Sequence, residues 1–229
     1  MTNIFTCMLV SCALLATDTK EPYIELPRYR NVNISIDTNP LEKAWTNATK
    51  LSNFINPWNP SANQYTETNL LWNGKELYFY FIAHDKEVIL IDNIDSENRI
   101  NREDRVEFFI SPDMPLTEYY GIEMDALGRV MDYKVKFYRK FYMNWTVGKH
   151  LRLKGRLTPE GYCLEGCIDK KLLKELTNGQ KTFYLGAYRA DYNTDVNGKK
   201  KFEWLCIKDP KTSKPDFHVD GTFIKVTLE

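Results

Sequence analysis

The sequence predicts an all-β fold, an antiparallel β-sandwich with one short helix, and three observations carry that prediction. Short segments along most of the chain alternate apolar and polar residues with a period of two. Turn-forming residues separate them, Asn73-Gly74 and Ser111-Pro-Asp-Met-Pro115 among them. Only residues 169–179 carry the composition and end signals of a helix. Many strands with so little helix belong to sandwiches, and 229 residues suit one undivided domain.

The elements follow in order. Residues 1–16 read as an export segment, 17–29 as a polar, proline-containing spacer, and 30–229 as the sandwich. The stretch from Ile4 to Ala16 is small and apolar and too short to span a bilayer. Leu9-Val-Ser-Cys12 resembles the lipobox of bacterial lipoproteins, in which Cys12 is lipidated and becomes the mature N-terminus. Cleavage after Ala16 by an ordinary signal peptidase is the other reading, and residues 1–8 hold no Lys or Arg. Both readings export the protein, to the cell envelope as a lipoprotein or to the periplasm or medium, with a lipid anchor as its only membrane contact.

Residues 31–36 alternate as a first strand, 39–45 read as a helical turn, and 53–64, with Pro57, Trp58 and Pro60, as a loop. Segments 66–72 and 77–84 form a hairpin across Asn73-Gly74; the second is apolar on both faces, which marks a central strand. Strands follow at 105–111, 119–125, 129–137 and 151–157, the last two separated by an aromatic segment with Phe141, Tyr142 and Trp145. After a strand at 162–168 comes the helix, with Asp169 as N-cap and Gly179 at its end. Segments 183–191, 201–207 and 222–228 complete the set.

Lys plus Arg and Asp plus Glu are both 31, so no basic excess favours nucleic acid as a partner. Aromatics make up 14% of residues, and such rings serve as core and as stacking surfaces for the apolar faces of sugars. Cys163 and Cys167 lie four apart in a strand, roughly 13 Å between Cα atoms, beyond disulfide reach; with Cys206 they read as buried free thiols. His84, His150 and His218 are too scattered for a metal or catalytic cluster.

The candidate site comes from the alternation between Asp104 and Asp132. Val106, Phe108 and Ile110 share one strand face, with Arg105, Glu107 and Phe109 opposite; Tyr120, Ile122 and Met124 share another, with Gly121, Glu123 and Asp125 opposite. A hairpin between the two places Glu107 and Glu123 on neighbouring strands of one exposed sheet face, a ligand platform. The plainer reading leaves them solvated or paired with Arg105 across strands. Arg189 and Asp191, two apart on one strand, can fork hydrogen bonds onto adjacent hydroxyls, or form a salt bridge worth below about 1 kcal/mol.

The same residues carry a family resemblance. Asp104-Arg-Val-Glu-Phe-Phe-Ile-Ser-Pro-Asp113 followed by Tyr119-Tyr-Gly-Ile-Glu-Met-Asp-Ala-Leu-Gly-Arg-Val-Met-Asp132 resembles the central signature of the family 9 carbohydrate-binding modules. Leu71-Trp-Asn-Gly-Lys-Glu-Leu-Tyr-Phe-Tyr-Phe-Ile-Ala-His-Asp85, Phe183-Tyr-Leu-Gly-Ala-Tyr-Arg-Ala-Asp191, Glu203-Trp204 and Pro215-Asp-Phe-His-Val-Asp-Gly-Thr-Phe223 extend the resemblance over residues 30–229.

That resemblance implies an immunoglobulin- or jelly-roll-like sandwich of DOMON type with a cleft on one sheet, and non-catalytic binding of oligo- or polysaccharide during polysaccharide breakdown, beside separate glycoside hydrolases. It places Glu107 and Glu123 against the sugar, where charged acceptors bind hydroxyls about twice as strongly as neutral ones. The family's two clamping tryptophans correspond to Asn101 and to Phe217 or His218, so Trp204, Trp145, Trp58 and Tyr188 are the replacements on offer. Arg189 and Asp191 fall on a strand where the family uses polar groups. No cofactor is required; structural calcium, with Asp37, Asp85 and Asp104 as conceivable ligands, is a family feature. Two other readings stay open: a glycoside hydrolase using Glu107 and Glu123 as its carboxylate pair, and a haem-binding module using Met124, Met131, Met143 and His84.

Overall fold

The structure is a computed structural model that describes residues 23–30, 32, 34–62, 64–91, 97–194 and 197–229. The export segment with Cys12, and residues 31 and 33 of the first expected strand, lie outside the described residues.

Thirteen strands and one α-helix are described: β1 (Tyr23–Leu26), β2 (Thr49–Leu51), β3 (Thr66–Trp72), β4 (Leu77–His84), β5 (Arg105–Ser111), β6 (Glu118–Asp125), β7 (Val130–Lys136), β8 (Lys140–Tyr142), β9 (Leu151–Thr158), β10 (Gly161–Ile168), α1 (Lys170–Leu176), β11 (Thr182–Thr194), β12 (Lys200–Cys206) and β13 (Ile224–Leu228). They form two sheets, of order β1-β13-β11-β5-β6-β7-β8 with β12 on β11, and β2-β3-β4-β10-β9. All pairings are antiparallel except β1 with β13.

The predicted hairpin of β3 and β4 forms as read, and its turn shows why. Asn73 Oδ1 accepts the backbone N–H groups of Lys75 and Glu76, and Gly74 adopts φ +95°, which its missing Cβ permits. The central position of β4 places its two apolar faces differently. Phe79 and Phe81 turn inward onto Phe108, at ring separations of 5.2 and 4.8 Å. Tyr78 turns outward, under Ile34 and Ile36. Between the sheets Phe79, Phe81, Phe108, Ile122, Met124 and Leu164 form the main core.

Two expectations are corrected. Residues 34–36 form no strand: their alternation buries Ile34 against β3 and β4, but Asp37 and Thr38 donate their N–H groups to the Glu165 carboxylate, which replaces a ladder partner. The first strand is instead Tyr23–Leu26, inside the segment read as spacer, and it pairs in parallel with β13. The helix follows its end signals. Asp169 caps Lys171 and Leu172, while Gly179, at φ +72°, donates to Lys174 O at 2.7 Å. Cys163, Cys167 and Cys206 are free and buried.

Candidate functional site

The outer face of the larger sheet is built from every second residue of adjacent strands: Tyr188 on β11, Arg105, Glu107 and Phe109 on β5, Gly121 and Glu123 on β6, Met131 and Tyr133 on β7. The register sets Glu107 opposite Glu123 on one side and Tyr188 on the other, with Glu123 opposite Met131. At the Phe109 end the segment 215–223 roofs this face. Phe217 stacks on Tyr188 at 4.2 Å, and His218 stacks on Phe109 at 4.8 Å. Beside the roof the face opens into a recess of about 480 Å³. Glu107, Glu123 and Arg105 lie in it, with Trp204, Phe141, Met143, Tyr133 and the Asp216–His218 segment around them.

The expected exposed platform is therefore a buried floor: Glu107 is 1% and Glu123 4% exposed. Arg105 lies between the carboxylates, its Nε 2.8 Å from Glu107 Oε1 and 2.6 Å from Glu123 Oε2. An Nε carries one hydrogen, and here it goes to Glu107. Glu123 Oε2 thus receives charge but no proton and accepts no hydrogen bond among the described residues. Its other oxygen accepts from Tyr133 at 2.6 Å. That contact depends on Gly121: a Cβ there would come within 2.3 Å of the Tyr133 ring.

Burial first, and then the Glu123 charge, push the Glu107 carboxyl up to about 8 against the opposing pull of Arg105. Two carboxylates around one guanidinium thus hold a proton near neutrality. Arg105 Nη1 donates to Ile100 O and the Tyr192 hydroxyl, and the guanidinium lies 5.7 Å from the Trp204 ring centroid. Burial lowers the His218 imidazole to about 3, so it is neutral at physiological pH. The Tyr119 phenol, held protonated by burial, pairs with His218 Nδ1 at 2.7 Å; giving its proton there leaves the ring hydrogen on Nε2.

Of the residues predicted from sequence, Glu107, Glu123, Asn101, Trp204, Phe217 and His218 line the recess. Tyr188, Arg189 and Asp191 do not. Tyr188 lies beneath Phe217 with its hydroxyl on Thr222, and so supports the wall from behind. Trp58 packs against Phe217 and Trp145 against Tyr120, both outside the recess. Arg105, Tyr133, Arg139, Phe141, Met143 and Asp216 were missed as site residues.

Arg189 and Asp191 face the sandwich interior. Arg189 Nη2 donates to Asp85 at 2.9 Å and Asp191 at 2.6 Å, and all three are fully buried as side chains. Asp85, Asp104 and Asp191 each bring an oxygen within 4.8 Å of the others, whereas Asp37 stands outside this group. Burial lifts Asp104 to about 8 and Asp85 to about 6. The donor set, all carboxylate oxygen, is of the kind a hard cation takes, and three carboxylates against one guanidinium match a divalent charge.

The axial ligands offered for haem disperse: Met124 is in the main core, Met131 and Met143 line the recess, and His84 ends β4 in the other sheet.

The family described as carbohydrate family 9 binding domain-like matches residues 36–229. A search of curated proteins finds no match. Among solved structures, a protein of Bacteroides uniformis ATCC 8492 assigned provisionally to carbohydrate binding superposes with a TM-score of 0.73 at 15% identity, over 91% of this chain and 100% of that one. A family 9 carbohydrate-binding module from Caldicellulosiruptor kristjanssonii in complex with glucose gives 0.63 at 13% identity, over 91% and 96% of the chains. The module from that organism in complex with cellotriose gives 0.60 at 13%, over 91% and 94%. At these identities the superpositions establish a shared fold.

Proposed function

The chain belongs to the carbohydrate family 9 binding domain-like family, and from that premise we propose that it is a non-catalytic carbohydrate-binding protein whose ligand sits in the recess over Glu107 and Glu123. The observation that carries this reading is Glu123 Oε2, a buried acceptor on the recess floor that lies 2.6 Å from Arg105 Nε and takes no hydrogen bond among the described residues. An unmet buried acceptor is costly, and a sugar hydroxyl supplies the missing donor. Trp204 on one side and Phe141 on the other offer rings for the apolar faces of the sugar.

The raised pKa of Glu107 is of the kind a catalytic acid needs; the geometry argues against catalysis. A glycosidase needs its acid and its nucleophile or base on either side of the scissile bond; Glu107 and Glu123 are cross-strand neighbours on one floor with Arg105 wedged between them. A sugar entering the recess meets both from the same side. The protein holds glycan fragments for separate glycoside hydrolases, exported and anchored through Cys12, and calcium fills the Asp85, Asp104 and Asp191 cluster. Mass spectrometry of the mature N-terminus tests the anchor.

Calorimetry against a glycan panel tests the site. Glu123→Gln, which keeps shape but removes charge, is expected to weaken binding about tenfold, and Glu123→Ala more, since hydrogen bonds to charged groups contribute about 1.5–3 kcal/mol. Neither protein should release reducing ends. Full affinity in Glu123→Ala would sink the assignment of the recess.

A further inference from the structure

We propose that the β7–β8 hairpin is a second stacking surface, which holds the sugar residues that follow the one seated in the recess. Four large apolar side chains stay exposed within seven residues: Phe137 at 53%, Tyr138 at 51%, Phe141 at 39% and Met143 at 46%. β8 ends its sheet, so no further strand among the described residues covers them. Exposed apolar side chains gathered on one hairpin mark a contact site.

The hairpin is fixed to the recess. The Tyr138 hydroxyl donates to Asp216 Oδ2, and Arg139 Nη1 donates to Asp216 Oδ1 at 3.0 Å. Asp216 Oδ1 also accepts the His218 N–H at 2.9 Å. One carboxylate thus ties the hairpin tip to the segment that carries Phe217 and His218.

The exposed rings lead outward from the recess with Arg139 between them, its guanidinium 5.9 Å from the Phe141 ring centroid and 5.8 Å from that of Tyr138. Phe141 and Met143 belong to the recess wall, and the Phe141 ring stands edge-on to Tyr133 at 5.2 Å and to His218 at 5.2 Å. Phe137 and Tyr138, in the turn between β7 and β8, lie beyond it, their rings 5.3 Å apart at 63°. Such a row, starting at a bound sugar and leading to solvent, fits one occupant, the remainder of the same glycan. Pyranose rings present apolar C–H faces, and each stacked ring contributes of the order of 1 kcal/mol. This inference rests on the recess being the sugar site.

The test is calorimetry on the full chain with matched pairs: glucose and cellotriose, xylose and xylotriose, mannose and mannotriose. For a pair that binds, the trisaccharide should bind about fivefold or more tightly than the monosaccharide. Phe137→Ala with Tyr138→Ala should bring that ratio to within about twofold, while Tyr138→Phe, which keeps the ring and drops the tie to Asp216, should preserve it. If the double variant does not fold, Phe137→Ser alone, which leaves that tie in place, reads the same ratio and should lower it. Equal affinities for both members of each pair in the wild type, or an unchanged ratio in the variants, would overturn the second surface and leave the recess assignment standing. Binding of no member would overturn both. Length-independent sugar binding together with Phe137-dependent capture by anionic phospholipid vesicles would assign the hairpin to a membrane surface instead.

Discussion

Glu123 is set in the recess by three neighbours, each in a different way. Arg105 supplies charge, Tyr133 fills one oxygen, and Gly121 leaves the space in which the Tyr133 ring lies. Gly121→Ala places a Cβ where the ring is, and since the obstacle is a packed ring, the ring must move. We expect a cost of about 1–3 kcal/mol from overpacking and glycan affinity lowered roughly tenfold, because Tyr133 then releases Glu123. Calorimetry together with thermal melting separates the two; an unchanged affinity at lowered stability would mean that Tyr133 does not set the position of Glu123. The sequence allowed half of this site to be read. Alternation placed Arg105, Glu107 and Glu123 on one face, correctly, because a strand's two faces are a local property. It could not say that the face is covered, because its roof comes from residues 215–223, far away along the chain. Tyr188 and Arg189 cannot both face the site, since consecutive strand residues face opposite sides, and the structure turns one under the wall and the other into the core.

Elements were legible in proportion to their length. Strands of seven or more residues, β3 to β7 and β9 to β12, lay where alternation and turn residues put them. The three missed strands, β1, β2 and β8, have four, three and three residues, too few to show a period, and exist because a neighbouring edge offers partners. The short helix α1 was readable because its ends carry the signal. Asp169 accepts two N–H groups that the helix itself leaves unmatched, at 2.9 Å each, and also meets His150 Nδ1 at 2.7 Å. Asp169→Ala is expected to cost about 1 kcal/mol, and Asp169→Asn, which retains a capping oxygen, much less. Denaturant melts of both variants check this. Since α1 buries Leu172, Leu173 and Leu176 rather than touching the recess, sugar affinity should remain at the wild-type value.

At the scale of the molecule, the sandwich carries an ionic cluster in its interior that couples stability to pH. Asp104 is lifted from the ordinary carboxylate range to about 8, mainly by burial and then by the Asp85 charge, although its oxygens accept the N–H groups of Ile89 and Tyr192. The folded protein therefore keeps a proton on Asp104 that the unfolded chain releases near pH 4. Between those values the native state binds more protons than the unfolded state, so stability falls as pH rises, and the contribution of the protonated form is gone above pH 8. Asp85, raised to about 6, adds to the loss in the lower part of that window. A melting temperature that drops by roughly 5–15 °C from pH 5 to pH 9 in a metal-chelated sample is expected, at about 2–4 °C per kcal/mol for a chain of this size. Glu107, also raised to about 8, adds a loss of its own, so Asp104→Asn, which keeps the shape without the titration, should shrink the drop without abolishing it. Calcium should act at the alkaline end, where Asp85 and Asp104 have given up their protons. Millimolar calcium should then restore much of the lost melting temperature at pH 8–9 and have little effect at pH 5, where protons compete for the same oxygens. A calcium response that survives Asp104→Asn would place the cation elsewhere and leave Arg189 as the cluster's counter-ion among the described residues.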